Sequence, residues 1–263
     1  MTDIICKLCK TNVATQTNSH ILPKFLKKEY LKKSNKFILI EALTGKLKTE
    51  HDLPKEDFIF CPNCESKFNC VETIISRQLN DSYSVFRRKD CPKFNLFDYE
   101  YQLLTKCDPK KFTIFVYSLI WRLHISNLPI FKDFCLPENC AEDLRKTLNN
   151  FLTEKTRELD SKLEEFKNQR WNFVFIKPEH RNIIYSNINY SEGIDKNKTS
   201  IIFIFEYILV FFISTTAIPK FMENYVNNKF STPKLMILNN EIWNHSAEYS
   251  ARQLIKKLRP LIE

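Results

Sequence analysis

Apolar positions along this chain change their period several times, and each change predicts an element. After Pro23, Phe25, Leu26, Tyr30 and Leu31 recur at helical spacing, so a short helix is expected to start near the proline. Residues 37–43 read FILIEAL and predict a strand, followed by a turn at Thr44 and Gly45. A second short strand is expected over 57–60. Residues 65–79 return to helical spacing, with Phe68, Val71, Ile75 and Leu79 on related faces. Residues 111–124, KFTIFVYSLIWRLH, are apolar almost all round and predict a buried helix. Over 141–170 a stripe of Leu144, Leu148, Phe151, Leu152, Leu159, Leu163 and Phe166 runs through charged sequence, as in one long amphipathic helix or two. A strand over 171–176, a polar loop over 187–199 and one or two strands over 200–214 follow. The pattern closes with an amphipathic helix over 248–258, ended before Pro260.

The run IIFIFEYILVFFI over 201–213 is interrupted by Glu206 and is shorter than the roughly 18 to 20 residues of a membrane span. Its β-branched and aromatic residues favour buried strands, and no membrane association is expected. The chain has 263 residues with 22 Phe and only 2 Gly, which excludes Gly-rich phosphate loops and glycine-fingerprint nucleotide folds. The excess of 40 Lys and Arg over 31 Asp and Glu is compatible with a polyanionic partner but does not require one. Nine Cys is an odd number, with Cys70, Cys91, Cys107, Cys135 and Cys140 scattered. With no disulfide framework and no secretory signature in MTDIICKLCK, a reducing cytoplasm is expected.

The remaining cysteines form two C-x-x-C pairs, Cys6 with Cys9 and Cys61 with Cys64. Each pair can clasp a metal from a tight turn, and two pairs complete a tetrahedral structural Zn²⁺ site. A redox pair would sit at a helix start in a βαβ context, which is missing here. Four thiolates leave no open coordination position, so this zinc stabilises rather than catalyses. The gap between the pairs is longer than a simple zinc ribbon needs, so something is inserted.

That insertion begins Ser19-His20-Ile21-Leu22-Pro23. C-x-x-C, then H-I-x-P, then C-x-x-C trailed by a polar residue and a lysine, resembles the HNH endonucleases of the treble-clef, ββα-metal type. SHILPKF, the later KEDFIFCPNCESKF and the downstream VE are similar to predicted bacterial HNH-like proteins, as is SLIWR over 118–122. The motif resemblance covers residues 6 to about 72. It implies that His20 is the general base that activates water against a phosphodiester, beside a bound Mg²⁺ or Mn²⁺. Where the family has an acid before the base, this chain has Ser19. Where it has His or Asn after the second pair, this chain has Glu65, an oxygen ligand suited to such a cation. Asp57 or Glu72 could complete the site, and the family's central Asn has no counterpart.

Lys24, Lys27 and Lys28 fall on one helical face and, with Lys67, could contact phosphate; the plainer alternative is a solvated surface. Arg87 and Arg88 have the same ambiguity. Arg122 follows Trp121 in a mostly apolar helix, where a guanidinium needs a partner. The expected architecture is α+β, with a zinc-bound treble-clef segment over residues 1–80 and a larger helical and β region over 81–263. The expected function is metal-dependent cleavage of DNA, in a defence or toxin role with a protein partner. The alternative is a non-catalytic zinc module that recognises nucleic acid or protein.

Overall fold

The computed structural model describes residues 4–27, 37–40, 47–50, 53–87, 93–96, 99–131, 134–178, 189–190, 199–204 and 207–238. The expected helix over 248–258 lies outside them, as do Lys28, Arg88 and the turn at Thr44 and Gly45.

The architecture is α+β. At the N-terminus Ile5 bridges Val13 in antiparallel fashion, and the Gln16 N–H donates to the Phe60 carbonyl at 3.0 Å. β1 (Ser19–His20) pairs antiparallel with β4 (Lys55–Glu56), placing Ser19 opposite Glu56 and His20 opposite Lys55. A separate hairpin, β2 (Phe37–Ile40) with β3 (Leu47–Glu50), belongs to the segment between them. The strand expected over 57–60 sits two residues earlier. Phe58 takes a positive φ of 58°, which ends the extended run, and its N–H turns back to the Gln16 carbonyl at 2.8 Å. After Pro23 the chain forms a 3₁₀ turn, Lys24–Lys27, where the apolar spacing predicts the start of a helix.

α1 (Pro62–Arg87) begins directly after Cys61. Proline suits the first helical position because its missing N–H would be unbonded there, and Glu65 in the first turn complements the helix dipole. α1 runs through residue 80 without a break. α2 (Pro109–Ile125) is capped by Asp108, whose carboxylate accepts the Lys111 N–H at 2.9 Å. Every residue from Phe112 to Leu123 is buried, as a helix apolar all round requires.

The stripe over 141–170 resolves into two helices, α3 (Glu138–Phe151) and α4 (Thr156–Glu164). The remaining strands are β5 (Lys93–Leu96), β6 (Tyr99–Leu103), β7 (Asn172–Pro178), β8 (Asn189–Tyr190), β9 (Thr199–Ile204), β10 (Tyr207–Phe212) and β11 (Lys234–Leu238). They form a seven-stranded sheet in the order β5-β6-β11-β7-β10-β9-β8, with only β11 and β7 parallel. The run over 200–214 is thus the β9–β10 hairpin. Part of the expected polar loop over 187–199 supplies β8.

α2 is the shared wall of the molecule. On one side Trp121 stacks near Phe60 and Phe68, at centroid distances of 6.1 and 6.2 Å. On the other, Phe112 meets Phe173 and Phe175, and Tyr117 meets Trp171 and Phe211. One continuous apolar core therefore runs from Leu8 to Ile237. The far face of the sheet carries the alternate residues Val174, Ile176, Ile208, Val210 and Met236 under Tyr225 and Val226. Burial on both faces explains why β7 and β10 read as unbroken apolar runs. Among the described residues no helix is long and apolar enough to cross a membrane.

One buried hydroxyl pins the helix to the sheet. Tyr117 Oη donates to the Trp171 carbonyl at 2.9 Å and accepts the Trp171 N–H at 3.0 Å. Tyr117→Phe leaves the Trp171 N–H without its acceptor and its carbonyl with only the Gln169 Nε2 donor at 3.2 Å, so a loss of about 1–3 kcal/mol is expected. Urea unfolding should show a lower midpoint at an unchanged slope. An unmoved midpoint would exclude this anchor.

Candidate functional site

The two C-x-x-C pairs meet. The sulfur atoms of Cys6, Cys9, Cys61 and Cys64 all lie within 4.8 Å of one another, and these residues could hold a metal ion. Cys6 and Cys9 flank a tight turn in which the Lys10 N–H donates to the Cys6 carbonyl at 3.0 Å and Lys10 takes a φ of 58°. Cys61 and Cys64 sit at the start of α1. Backbone N–H groups of Leu8 and Cys9 point at the Cys6 sulfur, and those of Thr11 and Asn12 at the Cys9 sulfur. Asn12 Nδ2 donates to Cys61 Sγ at 3.8 Å. Such donors favour thiolates. The Cys64 thiol hydrogen-bonds Cys6 and holds it down at about 4, while the Cys64 thiol is pushed up by the same neighbour and by burial. Four sulfurs at this spacing could share one cation.

Polar links dock this module onto the helices. Lys7 Nζ donates to the Ile125 carbonyl at 2.6 Å, and Arg145 Nη1 to the Leu8 carbonyl at 2.6 Å. The Glu56 carboxylate accepts Ser126 Oγ at 2.7 Å and Asn127 Nδ2 at 2.8 Å, fixing β4 to the end of α2. Glu142 pairs with Arg145 at 2.8 Å and Lys10 at 3.0 Å, and these hydrogen bonds pull its carboxyl down to about 2. A depressed carboxyl stabilises the fold above the ordinary carboxylate range, and this contribution fades as pH falls towards 2. Glu142→Gln is expected to give a shallower loss of stability on acidification. Melting curves of both proteins across that range check it, and parallel slopes would rule it out.

A cavity of about 500 Å³ has His20, Lys24, Glu65, Asn69, Glu72 and Arg122 in its wall. His20 comes from β1 and is half-buried. Glu65, Asn69 and Glu72 share one face of α1, at spacings of four and three. Arg122 enters from α2 and is almost wholly buried. Its Nη2 lies 2.6 Å from Glu72 Oε1, its Nη1 donates to the His20 carbonyl at 3.0 Å, and its Nε donates to the Ser118 carbonyl at 3.3 Å. The guanidinium also sits 5.1 Å from the Phe68 ring centroid. Burial pushes both carboxyls up. For Glu65 the Ser19 hydroxyl and Arg122 oppose this, and for Glu72 Arg122 does.

His20 and Glu65, read from the sequence as site residues, thus converge on one cavity. Glu72 lies in its wall but is engaged with Arg122. Lys24 is exposed at the cavity, whereas Lys67 is not among its lining residues. Lys27 ends the 3₁₀ turn, and Lys28 lies outside the described residues. Asp57 is placed elsewhere, where its carboxylate accepts the Asn18 N–H at 2.6 Å. His124 is structural: its Nδ1 accepts the Leu136 N–H at 3.1 Å, and burial lowers its proton affinity. Asn69 escaped the sequence reading, although it stands four residues after Glu65, where a shared helical face places it. Among the described residues no second group of three His, Cys, Asp or Glu side chains comes close enough to hold a metal. Comparison with family models, curated proteins and solved structures gives no match.

Proposed function

We propose that this chain is an HNH-like, metal-dependent nuclease that hydrolyses phosphodiester bonds of DNA, built on a zinc-bound treble-clef frame. One observation carries the reading: His20 on β1 and Glu65 on the first turn of α1 line the same cavity, and Glu65 directly follows Cys64 of the four-cysteine cluster. Two strands, a helix and a thiolate cluster that fixes them are the parts such a centre needs. Zinc suits the cluster, since Zn–S bonds of about 2.3 Å in a tetrahedron place sulfurs about 3.8 Å apart. The observed upper bound of 4.8 Å accommodates that spacing.

An imidazole is the side chain whose ordinary proton equilibrium lies near neutral pH, so His20 is suited to take a proton from attacking water. Glu65 is the cavity carboxylate not ion-paired with Arg122, and would hold a Mg²⁺ or Mn²⁺ that offsets charge on the phosphate. Magnesium commonly binds through one or two carboxylates with water and phosphate completing its shell, so a single protein ligand is compatible with it. Lys24 at the cavity supplies positive charge for a phosphate backbone. A cytoplasmic defence or toxin role with a protein partner fits this chemistry.

The second reading is a zinc module that binds nucleic acid or a protein without turnover. The commitment of Glu72 to Arg122, and the lack of a second three-ligand group among the described residues, favour it. Incubation of the purified protein with supercoiled plasmid, single-stranded DNA and RNA, with Mg²⁺ or Mn²⁺, separates the two. Nicking or cutting of DNA supports the nuclease. Retarded but intact DNA supports the binding module.

A further inference from the structure

We infer that Arg122, supplied by α2, is a positioning residue that sets the orientation of His20 through its main chain. This rests on the reading of His20 as the base. β1 has two residues and, among the described residues, pairs only with the equally short β4, so its own ladder holds it weakly. The Arg122 bond to the His20 carbonyl is a further anchor, made at the residue whose side chain lines the cavity. Because the peptide unit is planar, fixing that carbonyl fixes the plane leading away from His20 towards Ile21 and Leu22, which are fully buried.

The guanidinium suits this task in a way an ammonium would not. Its planar fork reaches Glu72 on α1, His20 on β1 and Ser118 on its own helix in fixed directions. Phe68 covers one face of the group, so few orientations remain open to it. Glu72 then acts on His20 only by holding the arginine. The end of the same helix secures the Cys6–Cys9 turn through the Ile125 carbonyl and β4 through Ser126 and Asn127. Arg122 supplies the corresponding tie for β1.

The alternative is an ordinary buried ion pair. Charge-balanced replacement distinguishes them, because removing both partners of such a pair costs far less than removing one. The test compares Arg122→Met, Glu72→Gln and the double variant in the full chain. Arg122→Met alone should lose stability, and the double variant should regain much of it with unchanged metal content. In that refolded double variant the His20 ring resonance, assigned by its loss in His20→Ala, should still be displaced. On a cleavable DNA, kcat should fall on the order of a hundredfold at similar KM, the scale of a misplaced catalytic group.

A double variant with wild-type resonance and wild-type kcat would overturn the inference. So would a moved resonance at wild-type kcat, or a lowered kcat with an unmoved resonance. If wild type cleaves nothing, the nuclease reading fails and the resonance alone decides the placement of His20. Should the double variant not fold, Arg122→Lys is judged by the same signals, since it keeps the charge and loses the fork.

Discussion

Stripping the metal from the four-cysteine cluster is expected to unfold the N-terminal module, not merely loosen it. The residues there join the continuous core through Leu8, Ile21, Leu22, Phe60 and Phe68, but their own strand pairing, β1 with β4, has only two residues on each strand. Structural zinc in small modules contributes about 10–16 kcal/mol of apparent binding energy, which is folding energy where no site preforms. That matches or exceeds the roughly 5–15 kcal/mol net stability of a whole domain. Without the cation the thiolates repel, and the sulfurs linking the Cys6–Cys9 turn to α1 lose their common partner.

A strong chelator, or Cys61→Ala, should therefore abolish one equivalent of bound zinc and expose the N-terminal region to protease, while α2 and the sheet resist longer. The checks are metal content, time-resolved proteolysis with fragment masses, and the melting curve. A Cys61→Ala protein with wild-type melting and cleavage patterns would show that the cluster is a set of core thiols and nothing more.

His20→Ala is expected to lower DNA cleavage by about 10²- to 10⁴-fold, the usual contribution of a positioned general base. The melting temperature should barely change, because the imidazole is half-buried at a cavity wall while its neighbours Ser19, Ile21 and Leu22 carry the packing. Zinc content should not change at all. Cleavage at a wild-type rate by a folded His20→Ala protein would remove this residue from the chemistry and favour the binding-module reading.

The cysteine quartet was legible in the sequence because two C-x-x-C pairs are a local pattern with a strong chemical meaning, and the motif over 19–23 singled out His20, which the fold brings to one cavity with Glu65. Glu65 was legible through its place directly after Cys64. Continuous apolar stretches also announced α2 and the β9–β10 hairpin, since burial on all sides leaves no polar face to disguise them. β5, β6 and β11 were not announced. β6 and β11 are short and pair across more than half the chain, Glu100 with Ile237, so nothing near them in sequence marks the partner. The shift from the expected strand over 57–60 to β4 has a single-residue cause, the left-handed turn at Phe58, which no glycine advertises. Arg122 could be flagged as a buried cation in need of company. Its partners could not be named, because they come together only when β1 and α1 fold against α2.

The shared wall formed by α2 bears on how this protein can be engineered. The helix has 17 residues and so spans about 25 Å. Aromatic contacts with the sheet begin at Phe112, and polar contacts with the cysteine module gather around Arg122 to Asn127. A graft of residues 1–80 onto another scaffold would carry all four cysteines, His20 and Glu65. It would leave behind the guanidinium on the His20 carbonyl, the hydroxyl and amide on Glu56, and the carbonyl that receives Lys7. Such a chimera would keep the cysteine cluster and lose these ties, so a portable unit of this candidate site would have to include α2 and the turn that follows it.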